Sequence, residues 1–228
     1  MIKEVISRNL LAVGEEIAAA EQAAGREGKT TMLVATKYAD DEMLAALLAA
    51  GVREVGENRV QQLLAHYEQF ERAGARVHFI GSLQTNKVKY IVDKVAMIHS
   101  IDSARLAAEV EKQATKKNCT VEVLVEINGE REASKSGVFP EEAEALCREI
   151  LQMPHLVLRG FMTMGSVMES EADYQRYFEG VRAIGREIWQ ALDLAGEPIL
   201  SMGMSQSFAP AIRAGADIVR IGRRLFAE

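Results

Sequence analysis

The sequence predicts an α/β chain folded as a single (β/α)8 TIM barrel over residues 1–228, with one extra helix ahead of it. Three observations carry this prediction. Eight short apolar runs alternate with amphipathic helical stretches along 228 residues, the length that eight βα units need. No Pro/Ser-rich linker or composition break divides them, so the alternation belongs to one domain. The first strand is followed by Tyr38-Ala39-Asp40-Asp41, whereas an open doubly wound sheet normally carries a glycine-rich fingerprint at that turn.

The elements follow in order. Ile2, Ile6, Leu10, Val13 and Ile17 repeat at helical spacing, so the leading helix runs into the Ala-rich stretch before Gly25. Met32 to Thr36 is apolar without polar alternation, as a parallel strand buried on both faces requires, and the first strand extends from Thr31 to Lys37. Asp40 caps a helix through Ala50, with Gly51 as its stop. Glu54 to Asn58 is a short strand, and a helix from Val60 to Ala73 ends at Gly74. Arg76 to Gly81 is the third strand, followed by a helix from about Asn86. Ala96 to Ile101 is the fourth, with Asp102 or Ser103 capping a helix to Lys117. Thr120 to Ile127 is the fifth, and Pro140 opens a helix to about Met153. Val157 to Met164 is the sixth, ahead of a long helix from Glu171 to Leu192. Ile199 to Gly203 is the seventh, a helix beginning near Ser205 ends at Gly215, and Ile218 to Gly222 is the eighth.

Composition narrows the function classes. The balance of 27 basic against 33 acidic residues gives a net charge of −6, which argues against a nucleic-acid surface. The longest apolar run, Met43 to Val52, falls far short of a membrane span. Lys3, Glu4, Arg8, Glu15 and Glu16 leave no signal-peptide core at the amino terminus. Cys119 and Cys147 stand in no metal or redox spacing, which suits a reducing compartment. A cytoplasmic protein is expected.

In a barrel of this kind, sites form at the carboxyl ends of the strands, and phosphate groups are often held after strands seven and eight. Lys37 ends the first strand and shares a face with Leu33 and Ala35. If that face lines the barrel, its amine sits at the mouth. Burial there would depress its pKa and equip it to form a Schiff base with an aldehyde; otherwise it is a strand-end lysine reaching solvent. Strand seven ends in Ser201-Met202-Gly203-Met204-Ser205 and strand eight in Arg220-Ile221-Gly222-Arg223-Arg224. Hydroxyls, close backbone N–H groups, a helix start and two guanidinium groups in those loops make a phosphate site, against the plain alternative of turn chemistry. Arg220 shares parity with Gly222 and points into the mouth. A fixed cation there can donate to an acceptor but cannot stabilise a protonated ring nitrogen. A phosphorylated aldehyde-bearing ring with an unprotonated pyridine, pyridoxal 5'-phosphate (PLP), fits this set.

The stretches Val34-Ala35-Thr36-Lys37, Gly56-Glu57-Asn58, His78 to Lys87, Arg159 to Met164, Leu200 to Ser205 and Val219-Arg220-Ile221-Gly222 resemble the YggS/PROSC family of pyridoxal phosphate homeostasis proteins. These are similar to the amino-terminal barrel of alanine racemase. The resemblance runs in order from the first helix to Phe226. It implies that Lys37 carries PLP as a Schiff base, that Asn58 lies near the ring, that Ser201 and Gly222 bind phosphate and that Arg220 faces the pyridine nitrogen. Met202 and Arg223 complete the expected cofactor-binding set. Three departures stand out: Val77 where the family usually has Trp, Ser207 where an Asp commonly follows Met-Gly-Met-Ser, and Arg223-Arg224 in place of a Thr-Ala type pair.

Other residues carry plainer expectations. His78 and His99 are packed, hydrogen-bonded strand residues with no partner at metal-ligand spacing. Of Glu122 and Glu126, which share a face of strand five, one is expected inside the barrel as an anchor. Met162 and Met164 are wall residues, and Ser134, Lys135 and Ser136 form a loop that could help cover the mouth. The expected function is cofactor handling without robust turnover, with no catalytic residue and no metal. Partners are PLP and the apoenzymes that use it, with no nucleic acid and no membrane, and the chain is expected to be a monomer. The alternative is a PLP-dependent amino-acid racemase. Racemisation needs a second base opposite the lysine, which in alanine racemase is a Tyr from a following domain. This sequence stops at Glu228, and Tyr38 is expected on the opposite side of the strand. A Schiff-base aldolase using Lys37 without cofactor is a third possibility.

Overall fold

The computed structural model describes residues 2–132 and 134–227. Its elements are α1 (Ile2–Ala24), β1 (Thr31–Ala35), α2 (Asp41–Ala49), β2 (Glu54–Glu57), α3 (Val60–Ala73), β3 (Arg76–Phe79), β4 (Met97–Ile101), α4 (Ala104–Lys117), β5 (Val121–Glu126), α5 (Pro140–Ile150), β6 (Leu156–Met162), α6 (Glu171–Ala191), β7 (Ile199–Met204), α7 (Phe208–Arg213), β8 (Ile218–Ile221) and α8 (Arg223–Phe226). The strands close into a barrel in sequence order. Every neighbouring pair is parallel, and β8 returns to β1 with Leu33 opposite Arg220.

Strand parity sorts the side chains into two cores. Leu33, Ala35, Ile80, Met97, Leu124, Met162 and Ile218 fill the barrel. Val34, Val55, Val77, Ile98, Val123, Phe161, Leu200 and Val219 face outward into the larger layer under the helices. Val77, one of the departures from the pattern the sequence resembles, lies in that outer layer. Local caps start the helices: the Asp40 carboxylate accepts from the Met43 N–H at 2.8 Å, and the Ser103 hydroxyl accepts from the Leu106 N–H. Gly74 closes α3 in the left-handed region at φ +63°.

Three elements depart from expectation. Between β3 and β4 the chain forms only a six-residue 3-10 turn, Thr85–Tyr90, in which the inward-facing Val88 and the following Ile91 and Val92 fill the layer a longer helix would cover. The helix after β7 starts at Phe208 rather than near Ser205. Met204 to Ser207 forms a turn, closed by the Ser207 N–H on the Met204 carbonyl at 2.8 Å and the Met204 N–H on the Ser207 hydroxyl at 3.2 Å. β1 ends at Ala35, so Lys37 stands in a turn beyond the ladder. Among the described residues no helix is long and apolar enough to cross a membrane.

Candidate functional site

The turn carrying Lys37 is held from below. The Thr36 N–H donates to the Gly56 carbonyl at 3.0 Å, and the Thr36 hydroxyl donates to Glu57 Oε1 at 2.7 Å. His66 of α3 meets the same carboxylate oxygen at 3.1 Å. Burial pushes the Glu57 carboxyl above its usual range, against the pull of Thr36 and His66. With Thr36 pinned, the chain leaves the barrel wall and places both Lys37 and Tyr38 at its mouth. Of the two readings open for Lys37, the exposed one holds, with the residue lining the barrel mouth. One expectation is corrected: Tyr38 is on the same side as Lys37 rather than across the strand, with the Lys37 Nζ 5.1 Å from the Tyr38 ring centre. Strand parity does not apply past Ala35, the last residue of the ladder.

A cavity of about 510 Å³ opens at this mouth, a size that suits a small cofactor. Lys37, Asn58, Arg220, Gly222 and Arg223 line it together, as do Tyr38, Met164, Ser205 and Ser207. Asn58 follows β2 and packs its backbone so tightly on Gly81 that a Cβ there would lie 2.2 Å from the Asn58 carbonyl oxygen. Its Oδ1 is buried without a hydrogen-bond partner. On the β8 side the Gly222 N–H points at the Ser205 hydroxyl, 3.4 Å away. A side chain at 222 would begin 3.3 Å from Ala35 Cβ and 3.5 Å from the Tyr38 ring. Its absence leaves backbone open at the rim.

The two arginines after Gly222 both border the cavity but take different partners. Arg223 faces the cavity and reaches the Tyr38 hydroxyl at 3.5 Å. Arg223, followed by the charge of Lys37, holds the Tyr38 phenol below its ordinary range. Arg224 turns to α1, where both of its terminal nitrogens bond the Glu16 carboxylate.

Arg220 is 5 % exposed and forms the cavity floor. One terminal nitrogen donates to the Ser201 carbonyl and hydroxyl at 2.8 Å each, and the other to the Thr163 carbonyl at 2.9 Å. Burial lowers its pKa to about 10, opposed by Glu126 and then Tyr177, which leaves it a cation at neutral pH. Glu126, inside the barrel as one of the two strand-five acids was expected to be, is 5 % exposed. Burial and then Asp102 raise its carboxyl to about 7, with Arg220 opposing. Glu122, at the other end of β5, pairs with Arg159 at 3.2 Å and Arg76 at 3.5 Å.

Ser201 and Met202 do not take the expected places. The Ser201 side chain is fully buried, and its hydroxyl is committed to Arg220 and, at 2.9 Å, to His99 Nδ1. It lies two inward positions below the rim, so it cannot line the cavity as Ser205 does. Met202 has the opposite parity and packs in the outer core. The rim hydroxyls are those of Ser205, read from sequence within the strand-seven phosphate stretch, and Ser207, read only as a helix-start position. No parity count could have found them, because the ladder shifts register between Ser201 and Met204 and ends before Ser205; the signal is the run of hydroxyl residues just past the strand end.

The arrangement therefore joins a lysine amine, a cup of backbone N–H, hydroxyl and guanidinium groups, and a buried cation in one cavity. The unpartnered Asn58 amide and the bare rim at Gly222 fit a ring with polar substituents and a phosphate tail.

Comparison with known proteins places this geometry. The family described as "Alanine racemase, N-terminal domain" matches residues 9–228. A pyridoxal phosphate homeostasis protein of Aquifex aeolicus is 41% identical over 215 residues, 94% of this chain and 94% of that one. A protein of unknown function from Bifidobacterium adolescentis superposes with a TM-score of 0.89 at 35% identity, covering 99% of this chain and 96% of its own. PipY of Synechococcus elongatus PCC7942, in a structure with PLP bound, superposes with a TM-score of 0.81 at 26% identity over 92% of this chain and 100% of its own.

Proposed function

Because the chain belongs to the pyridoxal phosphate homeostasis proteins, a family built on the alanine racemase N-terminal domain, we propose that it binds PLP on Lys37 and handles the cofactor without turning over amino acids. The observation that carries this reading is that Lys37 and the Ser205–Gly222–Arg223 cup line one cavity whose floor is a buried arginine. When bound, PLP supplies an aldehyde with which the Lys37 amine can form a Schiff base. The Gly222 N–H, the Ser205 hydroxyl and the Arg223 guanidinium would hold the phosphate, each donating to an anion. Asn58 would meet a polar ring substituent.

Arg220 limits the chemistry. A guanidinium has donors and no acceptor, so it favours an unprotonated ring nitrogen and leaves the ring a weak sink for carbanion electrons. Tyr38 does not supply the second base that racemisation requires. Lys37 lies over its ring, so the two groups approach a ligand from one side. Both cysteines are unpaired, which suits work in the cytoplasm, where the cofactor would be held for apoenzymes that use it.

Titration with PLP and with pyridoxal tests the reading. PLP should bind with a visible absorption band, and pyridoxal more than tenfold more weakly, because hydrogen bonds to a charged group are worth roughly 1.5–3 kcal/mol each. Equal affinity for the two would place the phosphate outside the cup.

A further inference from the structure

A column of polar side chains runs through the barrel from the cavity floor to the opposite mouth. Arg220 donates to the Ser201 hydroxyl at 2.8 Å, Ser201 Oγ is 2.9 Å from His99 Nδ1, and His99 Nε2 is 2.8 Å from His78 Nδ1. His78 Nε2 ends the column 2.7 Å from Glu54 Oε2. Glu54 opens β2, and its other oxygen accepts from Arg76 at 3.2 Å. Ser201, His99 and His78 are 0–2 % exposed, so water offers no alternative partners.

Satisfying every atom gives the column a single direction. Arg220 can only donate, so it occupies an acceptor site on Ser201 Oγ. The Ser201 proton then has His99 Nδ1 as its acceptor, which places the His99 proton on Nε2. That proton is donated to His78 Nδ1, leaving the His78 proton on Nε2, aimed at the Glu54 carboxylate. Reversing His99 would strand the Ser201 hydroxyl proton in a buried position, and reversing His78 alone would set its Nδ1 proton against that of His99 and leave its bare Nε2 facing the Glu54 carboxylate, both of which are costly. Burial, His78 and then Arg220 hold His99 well below the ordinary histidine range, so it stays neutral.

We infer that Glu54, at the barrel end remote from the cavity, fixes the direction of this column and is a positioning residue for Arg220 on the ligand-facing floor. The inference rests on the proposed function only in taking that cavity as the cofactor site. Glu54 is the terminus that matters because a carboxylate can only accept. An amide in its place can turn its NH2 to His78 with its oxygen on the Arg76 guanidinium, an arrangement closed to a carboxylate. His78 would then carry its proton on Nδ1, His99 likewise, and Ser201 would receive two donors while its own proton lost its acceptor beside the Arg220 cation.

The test is Glu54→Gln, an isosteric change at a half-buried position. Long-range proton–nitrogen NMR of the ligand-free protein should show both imidazoles protonated on Nε2 in the wild type and a new Nδ1-protonated form of both in E54Q, with the Arg220 side-chain resonances shifted. PLP should bind E54Q about three- to tenfold more weakly, the equivalent of one neutral hydrogen bond. In a Ser201→Ala background, which cuts the column, E54Q should add no further loss. An Nδ1 proton on either wild-type histidine, an unchanged His99 in E54Q, or flipped histidines with PLP affinity unchanged would each overturn the inference. A wild type that binds no PLP would instead defeat the cofactor reading. The positioning role would then stand or fall on the tautomers and the Arg220 resonances alone.

Discussion

Gly203→Ala should loosen the corner that carries the proposed phosphate cup. Gly203 sits at φ +91°, and a Cβ added there would fall 2.5 Å from the Ala211 Cβ, 3.1 Å from Phe208 Cα and 3.3 Å from the Ser207 carbonyl oxygen. The left-handed backbone costs an L-residue roughly 1–2 kcal/mol. The overlap with the fully buried Ala211 of α7 adds roughly 1–3 kcal/mol, since α7 must move off β7. The combined loss, roughly 2–5 kcal/mol, corresponds to a Tm drop of roughly 5–20 °C for a chain of this size. Because Met204 to Ser207 spans the gap between β7 and α7, PLP affinity should fall as well. The assay is thermal and urea unfolding of G203A, A211G and the double variant. Removing the Ala211 methyl relieves the steric part and leaves the backbone part, so the pair should couple favourably by roughly 1–2 kcal/mol. A G203A protein that melts within 2 °C of wild type, or a cycle with no coupling, would refute the reasoning.

Three further outcomes follow from the same geometry. Ser205→Ala should weaken PLP binding by about tenfold or more while leaving pyridoxal binding nearly unchanged, measured by parallel absorbance titrations; an equal loss for both would remove Ser205 from the phosphate. Glu126, with its folded pKa raised from 4.5 to about 7, binds an extra proton in the native state between those values. Stability should therefore decline as pH rises through that window, by up to roughly 3 kcal/mol. E126Q should flatten the decline in urea titrations from pH 4.5 to 8; a wild-type curve that rises over that range would contradict the assignment. Incubated with L-alanine in deuterated water, the loaded protein should exchange the α-proton well below about 1 per second, the low end of the enzyme range, as followed by NMR. Faster exchange would restore the racemase reading.

The barrel was legible because it rests on local pattern. The apolar strand cores, the caps at Asp40 and Ser103 and the stop at Gly74 each follow from residues close in sequence. Lys37 and the strand-seven and strand-eight rims followed from their places at strand ends and the known site of function in such barrels. What was not legible depends on where ladders end and on closure. Parity held along β1 only to Ala35; Thr36 is drawn to Gly56 and Glu57, and no pattern in residues 31–37 announces that contact. A register shift between Ser201 and Met204 likewise puts Ser205, four residues on, at the rim in place of Ser201. His99 and Ser201 are 102 positions apart, and only closure of the sheet brings them together. That is why two histidines expected to be packed and hydrogen-bonded had no partners assigned, and turn out to bond each other in one column. The destinations of Arg223 and Arg224 likewise depend on α1 folding against α8, which lets Glu16 take one of the pair.

The central claim is that Lys37 is the residue on which PLP is held. Incubation of the purified protein with PLP, reduction with borohydride and peptide mass analysis tests it most directly. The account predicts one stable adduct, on the peptide containing Lys37, with loss of the visible band and no adduct in Lys37→Ala. A wild-type protein that stays colourless and unmodified, or an adduct that persists on another lysine when Lys37 is removed, would contradict it.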